Sequence, residues 1–264
     1  MNHRLSLLLG LAVGGVFVYR GRKSRIAVER VAAGSLEALL NAIEANDEDT
    51  GMHVRRVAAY ALIIAEGAGL DERHKRAVER VALFHDIGKI HEALFDIVHE
   101  HSRLTPAERQ KIATHPQRGS DVLQPLASFY PELPEGVLSH HERWDGKGYP
   151  RRLEGQAIPL EARITAIADT FDAVTHSRRY RHGSGIETAL QVLAEGRGSQ
   201  FDPELVDLTL LPPIVEQLKQ VHIVAGTHRK PQNERPRERS PDVSFRWRSE
   251  SLGSRRVETP RSIE

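Results

Sequence analysis

The chain has 264 residues, enough for one large domain or two small ones. Hydrophobic residues make up 39% and aromatics only 5%, so the core must be built from Leu, Val, Ile and Ala, which suits packed helices better than a β-sandwich. The absence of cysteine excludes disulfides, thiolate metal sites and a cysteine nucleophile, and a net charge of +1 gives no global field for a nucleic-acid partner, so none is expected.

The N-terminus opens with an uncharged, largely apolar run, Leu5 to Tyr19. As a helix it would span roughly 22 Å, short of the ~30 Å hydrocarbon core, although Arg4 can snorkel and extend it. A signal peptide needs a small-residue cleavage site, and this run ends in Val18, Tyr19 and Arg20. A soluble core helix would not be apolar all round at a chain terminus. A single membrane anchor fits best. Arg20, Arg22, Lys23 and Arg25 follow at once and put the bulk of the chain on the cytoplasmic side of an inner membrane. The alternative is a cytoplasmic protein.

Helices follow in order. "SLEALLNAIEAN" (35–46) offers Ser35 as an N-cap, with Leu36, Leu39, Leu40 and Ile43 at helical spacing. "HVRRVAAYALIIAEGAG" continues the pattern and ends at glycine, with His53 at its start. "ERHKRAVERVALFHDIGKI" sets Ala77, Val78, Val81 and Ala82 on one stripe. "LTPAERQKIATHPQRGSDVL", "LEARITAIADTFDAVT" and "GIETALQVLAEG" repeat the helical period. No segment alternates with period two, and no internal repeat is visible. From about Gly226 the composition turns to Arg, Pro and Ser without apolar period. The expected organisation is all-α: a hydrophobic anchor and basic flank at 1–25, one helical bundle domain at 28–222, and a disordered tail at 226–264.

Five histidines and two aspartates then stand out: His53, His85 beside Asp86, His115, the adjacent pair His140 and His141, and Asp169 on an otherwise apolar helix. One of these alone reads as a hydrogen-bonded core residue. Seven on successive helices ask for a common partner, and a metal centre supplies one. Imidazole and carboxylate without thiolate suit Fe, Mn or Zn. Seven side chains are too many for one ion that must also leave room for water, and they suit two ions bridged by a shared carboxylate. Paired metals about 3.5–4 Å apart are a recurring device for phosphoester hydrolysis.

"HDIGK" (His85–Lys89), "HHERWDGKGYP" (His140–Pro150) and "RITAIADTFDAVTHSRRYR" (Arg163–Arg181) together resemble the HD-GYP family, a branch of the HD-domain metal-dependent phosphohydrolases that hydrolyses bacterial cyclic dinucleotides, chiefly cyclic di-GMP. "DTGMHVRRV", "LTPAERQKIATHP" and "GRGSQFDPELV" resemble it too, in the family's order. The resemblance runs from about Ser35 to Leu218. It implies an HD-type helical bundle and two divalent ions, Fe or Mn first. The implied ligands are His53, His85, Asp86, His115, His140, His141 and Asp169, with Asp86 bridging. It implies that Lys89 meets the scissile phosphate and that Tyr149, Asp172, Arg178 and Arg181 contact substrate. The "GYP" loop is implied to shape the pocket and to dock a signalling partner such as a diguanylate cyclase.

The chain departs from the family in two places. "HEALFDIVHEHSRL" (His91–Leu104) replaces the usual segment after "HDIGKI". Asp49 stands four residues before His53, where some relatives carry a Glu that binds a third metal; Asp49 is either such a ligand or a helix cap. His74, His176, His182, His222 and His228 read as solvated or incidental. The expected activity is a phosphodiesterase giving linear pGpG and GMP from cyclic di-GMP. Its rivals are a degenerate module that senses nucleotide or holds a partner, and a hydrolase for another cyclic dinucleotide.

Overall fold

A computed structural model describes residues 30–45, 47–90, 105–176 and 184–227. The apolar N-terminal run, the Arg/Pro/Ser-rich tail beyond residue 227, the segment 91–104, and Arg178 and Arg181 lie outside these residues. No helix among the described residues is long and apolar enough to cross a membrane.

The described residues form helices joined by short turns, with two isolated bridges, Asp145 to Glu154 and Arg197 to Phe201, in place of strands. In chain order the helices are α1 (30–45), α2 (Glu48–Gly67), α3 (Glu72–Phe84), α4 (Pro106–Ile112), α5 (His115–Leu123), α6 (Glu132–Ser139), α7 (Leu160–Thr175), α8 (Ile186–Gly196), α9 (Pro203–Thr209) and α10 (Pro212–Thr227). The last helix runs past residue 222, the expected domain limit.

Capping explains several boundaries and corrects three expectations. Ser35 is not an N-cap: α1 is already helical at residue 30, and the Ser35 hydroxyl donates back to the Val31 carbonyl. Asp47 caps α2 by accepting from Thr50 N and Thr50 Oγ1, so His53 sits in the second turn rather than at the start. α2 ends in a Schellman motif, in which Gly69 (φ +70°) donates to Glu66 O and Leu70 N to Ala65 O. Asp71 caps α3 through His74 N. The expected single helix over "LTPAERQKIATHPQRGSDVL" is two. α4 opens on a capping box between Thr105 and Glu108 and stops at Ala113, and α5 begins afresh at His115 with Pro116 in its first turn. A proline has no N–H to donate into a continuing helix, and the break falls where that donor is missing.

The buried residues form two apolar clusters that share α3. The larger joins Val57, Tyr60, Ala61 and Ile64 of α2 to Val78 and Ala82 of α3, to Ile164, Ile167 and Phe171 of α7, and to Leu193, Val206 and Leu218 of the last three helices. The smaller takes Val81 and Phe84 from α3, with Leu36 and Ile43 of α1, Leu123 of α5, and Leu133 and Val137 of α6. α3 is thus a wall with one core on each side, and its C-terminal end delivers His85 and Asp86 to the seam between them.

Candidate metal centre

The His85–Asp86 pair stands on the turn that leaves α3. His85 is the helix C-cap, and Ile87–Ile90 form a 3-10 turn in which Lys89 N donates to Asp86 O. The turn fits only because residue 88 is glycine: a Cβ there would stand 2.1 Å from His115 O and 2.7 Å from Gly119 N. That close approach locks the turn to the first turn of α5 and sets His115 opposite Asp86. His140 is the C-cap of α6, and α7 presents Asp169 and, one turn on, Asp172.

Two groups of donor atoms result. Nitrogens of His115, His140 and His141 lie within 4.8 Å of one another, and so do donor atoms of His53, His85 and Asp169. Asp86 faces both. Its Oδ1 is 3.3 Å from His115 Nε2 and 3.9 Å from His140 Nε2, while its Oδ2 is 3.5 Å from His85 Nε2 and 3.8 Å from His53 Nε2. Asp169 Oδ1 closes the second group at 3.4 Å from His53 Nε2 and 3.8 Å from His85 Nε2. Lys89 Nζ donates to Asp86 Oδ2 at 2.7 Å.

The ring orientations are fixed from behind. Nδ1 of His85, His115 and His140 donates to the carbonyl three residues back, Ala82 O, Ile112 O and Val137 O, at 2.6–2.7 Å. His53 Nδ1 donates to Asp172 Oδ2 at 2.7 Å. With each Nδ1 committed as a donor, each Nε2 of a neutral ring carries a lone pair aimed inward. His115 Nε2 and His140 Nε2 then face each other at 3.1 Å, lone pair to lone pair. His53 Nε2, His85 Nε2 and Asp86 Oδ1 are buried and make no hydrogen bond. Buried acceptors left without a donor are costly, and several converging on one point suit a cation. Two ligands about 2.1 Å from one metal are about 3.0–3.4 Å apart at right-angle to tetrahedral geometry, the spacing of the closest pairs here. By donor chemistry, orientation and orphaned atoms, these residues fit two divalent ions.

The electrostatics agree. Burial holds His85 and His140 below the usual imidazole range, with neighbouring imidazoles adding to the effect at His140. Burial, then His115 and Lys89, lowers His141 to about 3. These rings stay neutral near pH 7, the form that binds metal. Burial works against ionising Asp86, but the Lys89 ammonium beside it outweighs this and holds the carboxyl well below the ordinary range.

The expected substrate residues fare differently. Tyr149 stacks on His141 with ring centroids 4.9 Å apart and 27° between planes, at the edge of the donor groups. Its hydroxyl keeps its proton, because burial and then the charges of Asp86 and Asp169 raise its pKa. Asp172 is engaged differently. It is 1% exposed, and its carboxylate accepts from His53, from Arg56 Nε and Nη2 at 2.6 and 3.0 Å, and pairs with His176 Nδ1 at 3.0 Å. No oxygen is left for a substrate, and its place is behind His53. Asp49 lies exposed in the first turn of α2, where Asp47 makes the cap, and the two donor groups do not include it.

Three further residues support the site, of which Glu142 had read either as a brace for a histidine or as exposed. Glu142, 4% exposed, accepts from Arg151 N and Leu153 N at 2.7 and 3.1 Å and so closes the "GYP" loop back on the helix that carries His140. Arg56 and His176 brace Asp172. Arg56 shares a helical stripe with His53 at i, i+3, which was a usable signal; the pairing with residue 172 was not visible.

The HD-domain family profile matches residues 37–205, and every donor described above falls inside that span. The chain belongs to the HD-domain family. The HD-GYP resemblance holds as well. The HD domain is 39% identical over 185 residues to a cyclic di-GMP phosphodiesterase response regulator of Xanthomonas campestris, covering 69% of this chain and 48% of that protein. It is 37% identical over 174 residues to a 3'3'-cGAMP-specific phosphodiesterase of Vibrio cholerae, covering 65% of this chain and 33% of that one. Among solved structures, a cyclic GMP-AMP-specific phosphodiesterase of V. cholerae superposes with a TM-score of 0.51 at 25% identity, over 73% of this chain and 51% of that chain. An HD-GYP-type protein of Bdellovibrio bacteriovorus shares the fold, with a TM-score of 0.52 at 16% identity over 73% of this chain and 61% of that chain. The chain spans about half or less of the length of the curated relatives it matches.

Proposed function

We propose that the chain is a metal-dependent phosphodiesterase that opens cyclic di-GMP to linear pGpG and onward to GMP. The observation that carries this reading is Asp86, whose two carboxylate oxygens each face a separate set of buried imidazole nitrogens. His53, His85 and Asp169 would hold one divalent ion, His115, His140 and His141 the other, and Asp86 both, with iron or manganese the expected metals. When bound, such a pair supplies charge neutralisation at the phosphate and a nucleophile at neutral pH.

The protein's own groups do the rest. Lys89, already beside Asp86, presents an ammonium to a phosphoryl oxygen. Tyr149, held flat against His141, offers a wall for a base and a protonated hydroxyl. Arg178 and Arg181, on the segment after α7, are proposed to grip the phosphates as guanidinium forks. A pure sensor module is disfavoured because each expected ligand position of the two groups is filled. The relatives named for 3'3'-cGAMP make that dinucleotide the second substrate to test.

Docking of a diguanylate cyclase on the "GYP" loop, and anchoring of the cytoplasmic domain to the inner membrane by residues 1–25, belong to the same proposal. Fractionation of the full chain tests the anchor: recovery in the soluble fraction would remove it. The activity is tested by measuring bound metals on the purified full chain and chromatographing the products from cyclic di-GMP and 3'3'-cGAMP side by side. Two ions per chain with pGpG as product is the expected result. A metal-loaded protein that leaves both dinucleotides intact overturns the reading.

A further inference from the structure

His53 is braced by side chains that lead away from the metal centre to the last helix. Asp172 Oδ2 takes the His53 Nδ1 proton, and Asp172 Oδ1 lies 3.0 Å from His176 Nδ1 at the end of α7. The His176 ring meets the His222 ring of α10 edge to face, with centroids 4.5 Å apart. In this pair His176 Nε2 and His222 Nδ1 are both buried without a hydrogen-bond partner. Neither histidine belongs to the two donor groups, and both had read as incidental in the sequence.

The chemistry of the two orphaned nitrogens is complementary. His176 Nδ1 faces two acceptors, Asp172 Oδ1 at 3.0 Å and Thr175 Oγ1 at 3.1 Å, so the ring's proton belongs on Nδ1 and its Nε2 carries a lone pair. A His222 protonated on Nδ1 is the donor that this lone pair lacks. A small rotation of either ring then completes a line of hydrogen bonds from His222 through His176 and Asp172 to His53. Arg56 clamps both Asp172 oxygens from the side, which keeps the carboxylate from swinging off the line. The line also joins parts of the fold that are distant in sequence: α10 is otherwise seated by apolar contacts of Ile214 and Leu218 in the larger core.

We propose that His176 and His222 are positioning residues for the metal centre: acting through Asp172 they orient the His53 ring, so that the hold on the ion at the His53 side depends on the seating of α10. This rests on the metal-dependent reading above. Groups behind a metal-bound histidine commonly change metal affinity by about 10–100-fold when they are removed.

The test uses the full-length, metal-loaded protein. Its readouts are the rate at which each ion passes to a chelator and, in metal-free protein, the tautomer of His53 by nitrogen NMR. His222→Phe and His176→Phe are expected to speed release of one of the two ions about tenfold or more and to loosen the Nδ1–H tautomer of His53. His222→Asn keeps a donor near the Nδ1 position and is expected to behave as wild type. His222→Gln places its amide near Nε2 and is expected to behave as Phe. If the Phe variants fail to fold, the Asn–Gln contrast carries the test alone. Equal release from His222→Asn and His222→Gln, or wild-type release from a folded His222→Phe, overturns the proposal and leaves the metal-dependent reading standing. A wild type that holds no metal overturns that reading instead.

Discussion

The Lys89 ammonium lies 2.7 Å from Asp86 Oδ2, the same oxygen that faces His53 and His85. One carboxylate oxygen therefore meets a fixed cation of the protein and one of the two donor groups at once, while the other oxygen serves the second group. Asp86 and Lys89 are separable by mutation, because one can bind metal and the other cannot.

Asp86→Ala removes the one side chain common to both groups. Metal content measured on the purified variant is expected to fall to less than one ion per chain, and turnover to drop by at least about 10³-fold, since loss of the shared ligand disrupts both metal roles together. A variant that keeps two ions and more than a tenth of the rate would count against the shared-carboxylate arrangement.

Lys89→Ala is expected to keep two ions and lose ~10²-fold in rate, the usual cost of removing a charged contact made in the transition state. Loss of metal in this variant would make Lys89 a prop for Asp86 and nothing more.

Gly88→Ala forces a Cβ to within 2.1 Å of His115 O, a clash with backbone that no rotamer change relieves. Overpacking of this kind costs about 1–3 kcal/mol. The expected outcome is a lower melting temperature together with weaker metal retention, because the turn carrying His85 and Asp86 must move away from His115. An unchanged melting curve with metal intact would show that the turn is not locked to α5.

Asp47 and Asp49 divide the roles that the sequence left open. Asp47→Ala is expected to cost about 1 kcal/mol of stability, as cap losses do, without changing metal content. Asp49→Asn is expected to leave metal stoichiometry as in the wild type, with two ions per chain. A third ion that disappears with Asp49 would reinstate it as a ligand.

Much of the site was legible because its chemistry is written in residue types that have little other use in an apolar bundle. His85 beside Asp86 and Asp169 sit where helical spacing turns inward, and the His140–His141 pair stood out by its adjacency alone. Local breaks were less legible: α6 is short, with Pro134 and Gly136 inside it, and its apolar pattern is too brief to separate from a loop. Least visible were the braces. Asp172 follows Asp169 by one turn and looked equally free to meet a ligand, yet its place is decided by Arg56, 116 residues away, and by His176. Pairings of that range depend on how α2 lies against α7, which spacing along one helix does not encode.

The wall formed by α3 gives the metal centre a second consequence. Asp169 comes from the larger core and His115 and His140 from the smaller, so ions bound at the seam would rivet together the two packing units that meet on α3. Ligand binding to the native state raises stability by mass action. Metal depletion should therefore divide one cooperative melting transition into two, with α5 and α6 the first helices to lose amide protection against hydrogen exchange.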